Sequence, residues 1–224
     1  MVSGMTTHTV IAIDGPAASG KGTLARKLAA ELGFAYLDTG ALYRCVGKAV
    51  LDAGGDPADG AAAIAAAKSL QHTLKADDLQ DPALRTDTVG SAASNVAKFA
   101  EVRRALFEFQ RDFAQTPRQG CGGVILDGRD IGTVIAPDAD VKLFVTASVE
   151  ERARRRLAEL SGKGIETDFD TVLADMKSRD ERDSARDAAP LKPADDAVTL
   201  DTSAMDADAV MAKALETIRQ KGGF

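Results

Sequence analysis

The stretch Gly15-Pro16-Ala17-Ala18-Ser19-Gly20-Lys21-Gly22-Thr23, directly behind the apolar run Val10-Ile11-Ala12-Ile13, constrains the chain more than any other. It reads as strand, glycine loop, helix. Gly15, Gly20 and Gly22 permit backbone angles and close approaches that a Cβ would obstruct, so successive N–H groups can converge on phosphate oxygens. Lys21 reaches toward the terminal phosphates. The helix that follows, from about Lys21 to Leu32, aims the positive end of its dipole at the same anion. A chance glycine-rich turn is the alternative, and the flanking strand and helix are the context that argues against it.

A hydroxyl for Mg2+ normally follows the lysine directly, whereas here Gly22 intervenes and Thr23 carries it. That Gly-Lys-Gly-Thr form resembles the loops of nucleoside monophosphate kinases. The chain has 224 residues, enough for one α/β domain with a small insertion but not for a second full domain. Its net charge of -6 argues against a surface that coats nucleic acid. Within this acidic chain, Arg152, Arg154, Arg155, Arg156, Arg179, Arg182 and Arg186 cluster, which suits a discrete polyanion held in a cleft. No apolar run approaches the roughly 18 residues of a membrane span, and no secretory signal is visible. Met5 is a candidate start, with the first residues as an extension. Cys45 and Cys121 are too few for a metal site or disulfide framework, which fits reduced thiols in a cytoplasmic protein.

Further along, Phe34 to Asp38 reads as a second strand, with Thr39 as cap of a helix over about Ala41 to Asp52. An alanine-rich helix spans 60–70. Short strands or a hairpin are expected between Gln71 and about Thr88, and two helices over Val89–Phe99 and Glu101–Gln115. Val124-Ile125-Leu126 is a buried parallel strand that delivers Asp127-Gly128-Arg129-Asp130 at its carboxyl end, where ligands of open α/β sheets bind. Val141 to Val145 is another central strand. Helices over about 149–160 and 170–186, joined by the flexible Ser161-Gly162-Lys163-Gly164, read as a mobile lid. Ala197 to Leu200 is a last strand, and Asp206 to Lys221 a helix with capping signals at Ser203 and Asp206. His8 and His72 stand apart from every motif and read as surface residues. Asp127 is the natural metal-side acid beside Thr23, with a turn or capping role as the alternative.

Leu37 to Arg44, Ala92-Ala93-Ser94, Phe99 to Arg103, Asp127 to Thr133, and Arg179-Asp180-Glu181-Arg182-Asp183 through Arg186 together resemble the bacterial cytidylate kinase family, in that family's order. The resemblance implies an α/β P-loop NTPase three-layer fold with a five-stranded parallel sheet of order 2-3-1-4-5. The core would comprise about 9–55, 123–150 and 190–224, the insertion that binds the nucleoside monophosphate about 56–118, the lid about 151–187, and the N-terminal extension 1–8. It implies transfer of the γ-phosphoryl of ATP, with Mg2+, to CMP or dCMP, giving ADP and CDP or dCDP, in a monomer with no nucleic-acid or membrane partner. Gly15 to Thr23 would hold ATP. Ser94, Arg103 and Asp130 would surround the cytosine, with Asp130 accepting from the N4 amino group; its alternative is an ion pair with Arg129. Arg179 and Asp183 would hold the ribose, and Arg44, Arg129 and Arg186 the phosphate, with Thr39 beside them. Lys21, Arg129 and Arg186, together with Arg152, Arg155 and Arg156 from the lid, would neutralise the transferred group. Rival readings are a P-loop kinase acting on AMP, UMP or a metabolite hydroxyl, and a nucleotide-dependent switch; a GTPase switch would need an Asn-Lys-x-Asp stretch, which is absent.

Overall fold

The computed structural model describes residues 8–222. The proposed extension therefore lies, apart from His8, outside the described residues. Five strands, β1 (Thr9–Asp14), β2 (Ala35–Asp38), β3 (Gly123–Gly128), β4 (Val141–Thr146) and β5 (Val198–Asp201), form one sheet. They are all parallel, in the order β2-β3-β1-β4-β5. Helices α1 (Lys21–Leu32), α2 (Thr39–Asp52), α3 (Gly60–Thr73), α4 (Asp87–Val96), α5 (Ala100–Gln115), α6 (Val149–Gly162), α7 (Phe169–Ser184) and α8 (Ala207–Gly222) complete it. The sheet order is the one that the resemblance implies.

The central strands are apolar on both faces because both are covered, as βαβ crossovers require. Ile11, Ile13, Ile125, Leu143 and Val145 pack with Leu24 and Leu28 of α1 and Ala214 and Ile218 of α8. Ala12, Leu37, Leu126, Ile131 and Ile135 fill the opposite side with Ala114 of α5. A separate cluster joins α3, α4 and α5 to Leu42, Tyr43 and Val46 of α2. The α6–α7 pair has its own small core, and this core rests on Ala17 of the glycine loop.

Four local expectations are corrected. Residues 71–88 contain no hairpin: α3 continues to Thr73, and two 3-10 turns follow at Ala76–Gln80 and Pro82–Arg85. Their aspartates cap turns instead of flanking strands, with Asp78 accepting from Lys75 N–H and Asp81 from Ala83 N–H. Asp38, not Thr39, caps α2, by accepting from Ala41 N–H at 3.2 Å. Thr39 is already helical, and its hydroxyl donates to the Asp127 carbonyl at 2.8 Å. At α8 the cap is Asp206, which accepts from Asp208 and Ala209 N–H; Ser203 instead accepts from Ser148 N–H at the start of α6. His72 is exposed as expected, but His8 is half-buried and lies 3.1 Å from the Ala114 carbonyl.

Candidate active site

Gly15 leaves β1 at φ 152°, and a Cβ there would lie 2.0 Å from the Val145 carbonyl oxygen, so no other residue fits beneath the loop. Gly20 is left-handed at φ 88° and ends the loop as the N-cap of α1, with no side-chain cap. Helices α2, α3, α4, α6 and α7 each carry a side-chain cap. The first N–H groups of α1 are thus left for an external anion. Lys21 is buried at the base of the loop, with Nζ 3.4 Å from the Pro16 carbonyl and 3.9 Å from Asp127 Oδ1. Burial, with Arg129 adding to it, lowers the Lys21 ammonium to about 8 against the opposing pull of Asp127 and Asp38.

Lys21 and Asp127 open into a cavity of about 190 Å3, and Thr39, Arg44, Ser94, Arg103, Arg129, Asp130, Arg179, Asp183 and Arg186 line the same space. The structure therefore brings together every residue of the expected acceptor set. Most come from the end of a strand or from a helix: Arg129 and Asp130 follow β3, Thr39 and Arg44 lie on α2, Ser94 on α4, Arg103 on α5, and Arg179 and Asp183 on α7, while Arg186 lies just beyond the end of α7. Six cationic side chains face four carboxylates there, an imbalance suited to a bound anion.

The pairing inside the cavity differs from what neighbourhood in sequence suggests. Asp130 pairs with Arg103, not with Arg129. Arg129 Nε donates to Asp183 at 3.0 Å, and Arg186 donates to the other Asp183 oxygen. Burial raises the Asp183 carboxyl, but Arg129, Arg186 and Arg179 outweigh it and hold it below the ordinary carboxylate range. Arg44 donates to Asp38 at 2.6 Å. Like Arg44 and Arg186, Arg179 has no hydrogen-bond partner for its buried Nε among the described residues. Burial and the Arg129 charge lower this guanidinium to about 10. Arg103 also lies over the Tyr43 ring at 5.6 Å, a residue that the sequence reading did not assign to the site.

The three lid arginines are not in this cavity. Arg152 is buried and held by Asp180 at 2.5 Å and by the Ala147 and Ala17 carbonyls. Arg156 pairs with Asp87 and Glu159, linking α6 to α4. Arg155 donates to the Thr202 hydroxyl and carbonyl, at 3.0 and 2.7 Å. It lines a second, larger space of about 330 Å3 beside Ser19, Gly20 and Thr23, with Leu24, Met205 and Val210 as its apolar wall. Thr23 is exposed there, so the two expected metal residues face different cavities. Asp127 Oδ2 accepts from the Tyr36 hydroxyl at 2.9 Å, and burial raises its carboxyl above the usual range despite Lys21. Tyr36, Tyr43 and Thr202 escaped the sequence reading because their partners are distant in the chain, whereas Asp38, also missed, pairs locally with Ala41 N–H and Arg44.

The model of the cytidylate kinase family matches residues 11–220. Among curated proteins, the cytidylate kinase of Paramagnetospirillum magneticum is 61% identical over 95% of this chain and 99% of its own length. That of Rhodospirillum rubrum is 58% identical over 95% of this chain and 98% of its own. Among solved structures, an uncharacterised protein from Eubacterium ventriosum shares the fold at a TM-score of 0.52 and 15% identity, covering 94% of this chain and 98% of that one. No described helix is long and apolar enough to cross a membrane.

Proposed function

The chain belongs to the cytidylate kinase family, and on that premise we propose how its site moves the γ-phosphoryl of ATP to CMP or dCMP, yielding ADP and CDP or dCDP. The observation that carries this reading is the cationic cavity that begins at Lys21 and ends at the Arg103–Asp130 pair. The glycine loop and the open N-terminus of α1 hold the donor phosphates, and the space walled by Leu24, Met205 and Val210 takes the donor nucleoside. The acceptor enters the second cavity, its base against Ser94, Arg103 and Asp130 and its phosphate among Arg44, Arg129 and Arg186. Arg179 and Asp183 hold the ribose.

The reaction then needs little covalent help from the protein. An already ionised acceptor phosphate oxygen bonds to the γ-phosphorus as the bond to the β,γ-bridging oxygen breaks, and the electron pair leaves with ADP. Lys21 and the guanidinium groups offset the charge of two anions brought in line. Arg152, Arg155 and Arg156 act from the lid side: Arg152 ties the lid to the loop through the Ala17 carbonyl, and Arg155 flanks the donor space. The residues over about 56–118 and 151–187 close on the core as acceptor-binding insertion and lid.

The carboxylates also fit a divalent cation. Asp38 and Asp127 are hard oxygen donors lining one cavity, and Asp127 is a buried carboxyl that a cation would hold ionised. Magnesium carried with ATP would shield the terminal phosphates there, with Thr23 on the donor side. The family likeness further supports a cytoplasmic monomer.

ADP release measured with Mg-ATP and, separately, CMP, dCMP, UMP, AMP, dTMP and GMP tests the reading. Strong turnover with CMP and dCMP is expected; turnover confined to AMP or UMP would discard the acceptor assignment, and silence across the panel would discard the activity. The lowered Lys21 adds a pH signature. The free protein loses this proton as pH rises through about 8, whereas bound phosphate needs the charged form. ATP binding should therefore take up a proton above pH 8, and affinity should fall by up to about tenfold per pH unit there. Calorimetry at pH 8.5 in buffers of different ionisation enthalpy measures the uptake, and heats independent of buffer would refute it.

A further inference from the structure

Asp14 is the last residue of β1 and immediately precedes the glycine loop, yet nothing in the reaction as derived uses it. It is 5% exposed. Its two carboxylate oxygens each accept a backbone N–H, one from Ile131 and the other from Gly132, both at 2.8 Å. Those two residues open a single π-helical turn, Ile131–Ile135, that directly follows Arg129 and Asp130. We propose that Asp14 is a positioning residue: it locks the segment carrying Arg129 and Asp130 to the root of the phosphate loop, and so fixes where the acceptor nucleotide sits relative to the donor.

The rest of the segment shows why such an anchor is needed. Asp130 adopts φ −146° and ψ 24°, outside helix and strand, so the chain leaves β3 irregularly. Gly128 makes room for the bend, since a Cβ there would lie 2.7 Å from both Ile131 Cδ1 and Thr39 Oγ1. The Thr39 hydroxyl holds the Asp127 carbonyl on one side of the bend, and Asp14 holds the amides on the other. Only a carboxylate matches two converging N–H donors with two acceptors; an amide must turn its NH2 toward one of them. A buried carboxylate is costly unless bonded, and burial lifts the Asp14 carboxyl to about 7 in spite of the two amides, with the Asp130 charge adding to the lift and Arg129 opposing it. Such an expensive group at the junction of the two substrate loops serves placement.

The inference rests on the CMP kinase reading and is tested by D14N, which preserves volume and removes one matched hydrogen bond. The variant should raise KM for CMP by about ten- to a hundredfold, the range set by a lost charge-assisted hydrogen bond, and lower the preference for CMP over UMP. KM for ATP should stay within about twofold, because the loop keeps its own N–H donors. An equal loss with both acceptors, or a lowered melting temperature with unchanged KM and preference, would overturn the proposal. Should D14N fail to fold, backbone hydrogen exchange in the wild-type protein still decides: Ile131 and Gly132 amides should be strongly protected without nucleotide, and exchange at the rate of exposed loops would overturn the anchor. Wild-type inactivity toward CMP would instead sink the kinase reading and leave the exchange result to judge the anchor alone.

Discussion

Replacing Lys21 by alanine should cut kcat for CMP phosphorylation by about 10^3, the scale measured when a preorganised charge stabiliser is removed from an acyl or phosphoryl transfer site. The reason is position. Lys21 is the one cation that belongs both to the donor loop and to the lining of the acceptor cavity, with Asp127 3.9 Å away. It therefore faces the place where charge moves from the transferred group to the departing β-phosphate. The loop amides and the open N-terminus of α1 survive the substitution, so KM for ATP should rise far less than kcat falls. Stability should move the other way. An ammonium lowered to about 8 from 10.5 is held charged at pH 7 at a cost to the folded state, and alanine removes that cost. Asp127 loses its nearest cation, but its own raised carboxyl can take a proton instead. The melting temperature of K21A should thus equal or exceed that of the wild type while activity is lost. Retention of kcat within tenfold would show that the guanidinium groups alone neutralise the transferred phosphoryl.

The loop, its helix and the strands around them were readable because each is encoded locally. The apolar run before Gly15 and the glycine spacing ahead of Lys21 need no information from elsewhere in the chain. The expected order of the strands came from likeness to the cytidylate kinase family, since nothing in the spacing of five apolar runs orders them. What was not readable is the pairing of charges. Sequence neighbourhood offered Arg129 as the partner of Asp130, whereas the fold supplies Arg103, 27 residues away, and gives Arg129 to Asp183, 54 residues away. The same limit hid Asp14, whose amide partners lie 117 and 118 residues further along. It also explains the lid arginines. Their cluster was visible, but Asp180, Asp87 and Thr202, which hold them, are brought near only by packing of α6 on α7, α4 and the end of β5. The misread stretch 71–88 failed for a local reason: aspartates signal turns equally well beside short strands and within 3-10 turns.

The largest change in specificity should follow from Asp130. Cytosine presents an N4 amino donor where uracil presents an oxygen acceptor, and a carboxylate accepts from the first and repels the second. D130A should lower kcat/KM for CMP by about 10^2 to 10^3 and leave UMP within a few-fold, because a site built around a hydrogen bond rejects the analogue lacking it by up to about 10^4. The ion pair complicates the simplest form of this test. Asp130 and Arg103 have side chains only 4% and 10% exposed, so alanine strands a buried guanidinium, a defect of about 3–5 kcal/mol in comparable sites. Tyr43 beneath Arg103 offsets part of this through its ring face. D130N separates the two effects. Its amide oxygen can still accept from Arg103, while its NH2 can face the O4 of uracil and opposes the N4 amino group of cytosine. The expected result is a folded protein whose preference moves from CMP toward UMP, read from kcat/KM for both acceptors beside a melting curve. A folded D130N with the wild-type preference would leave Asp130 as the counter-ion of Arg103 alone, and would place base selection on Arg103 and Ser94, the remaining polar groups of the expected base pocket.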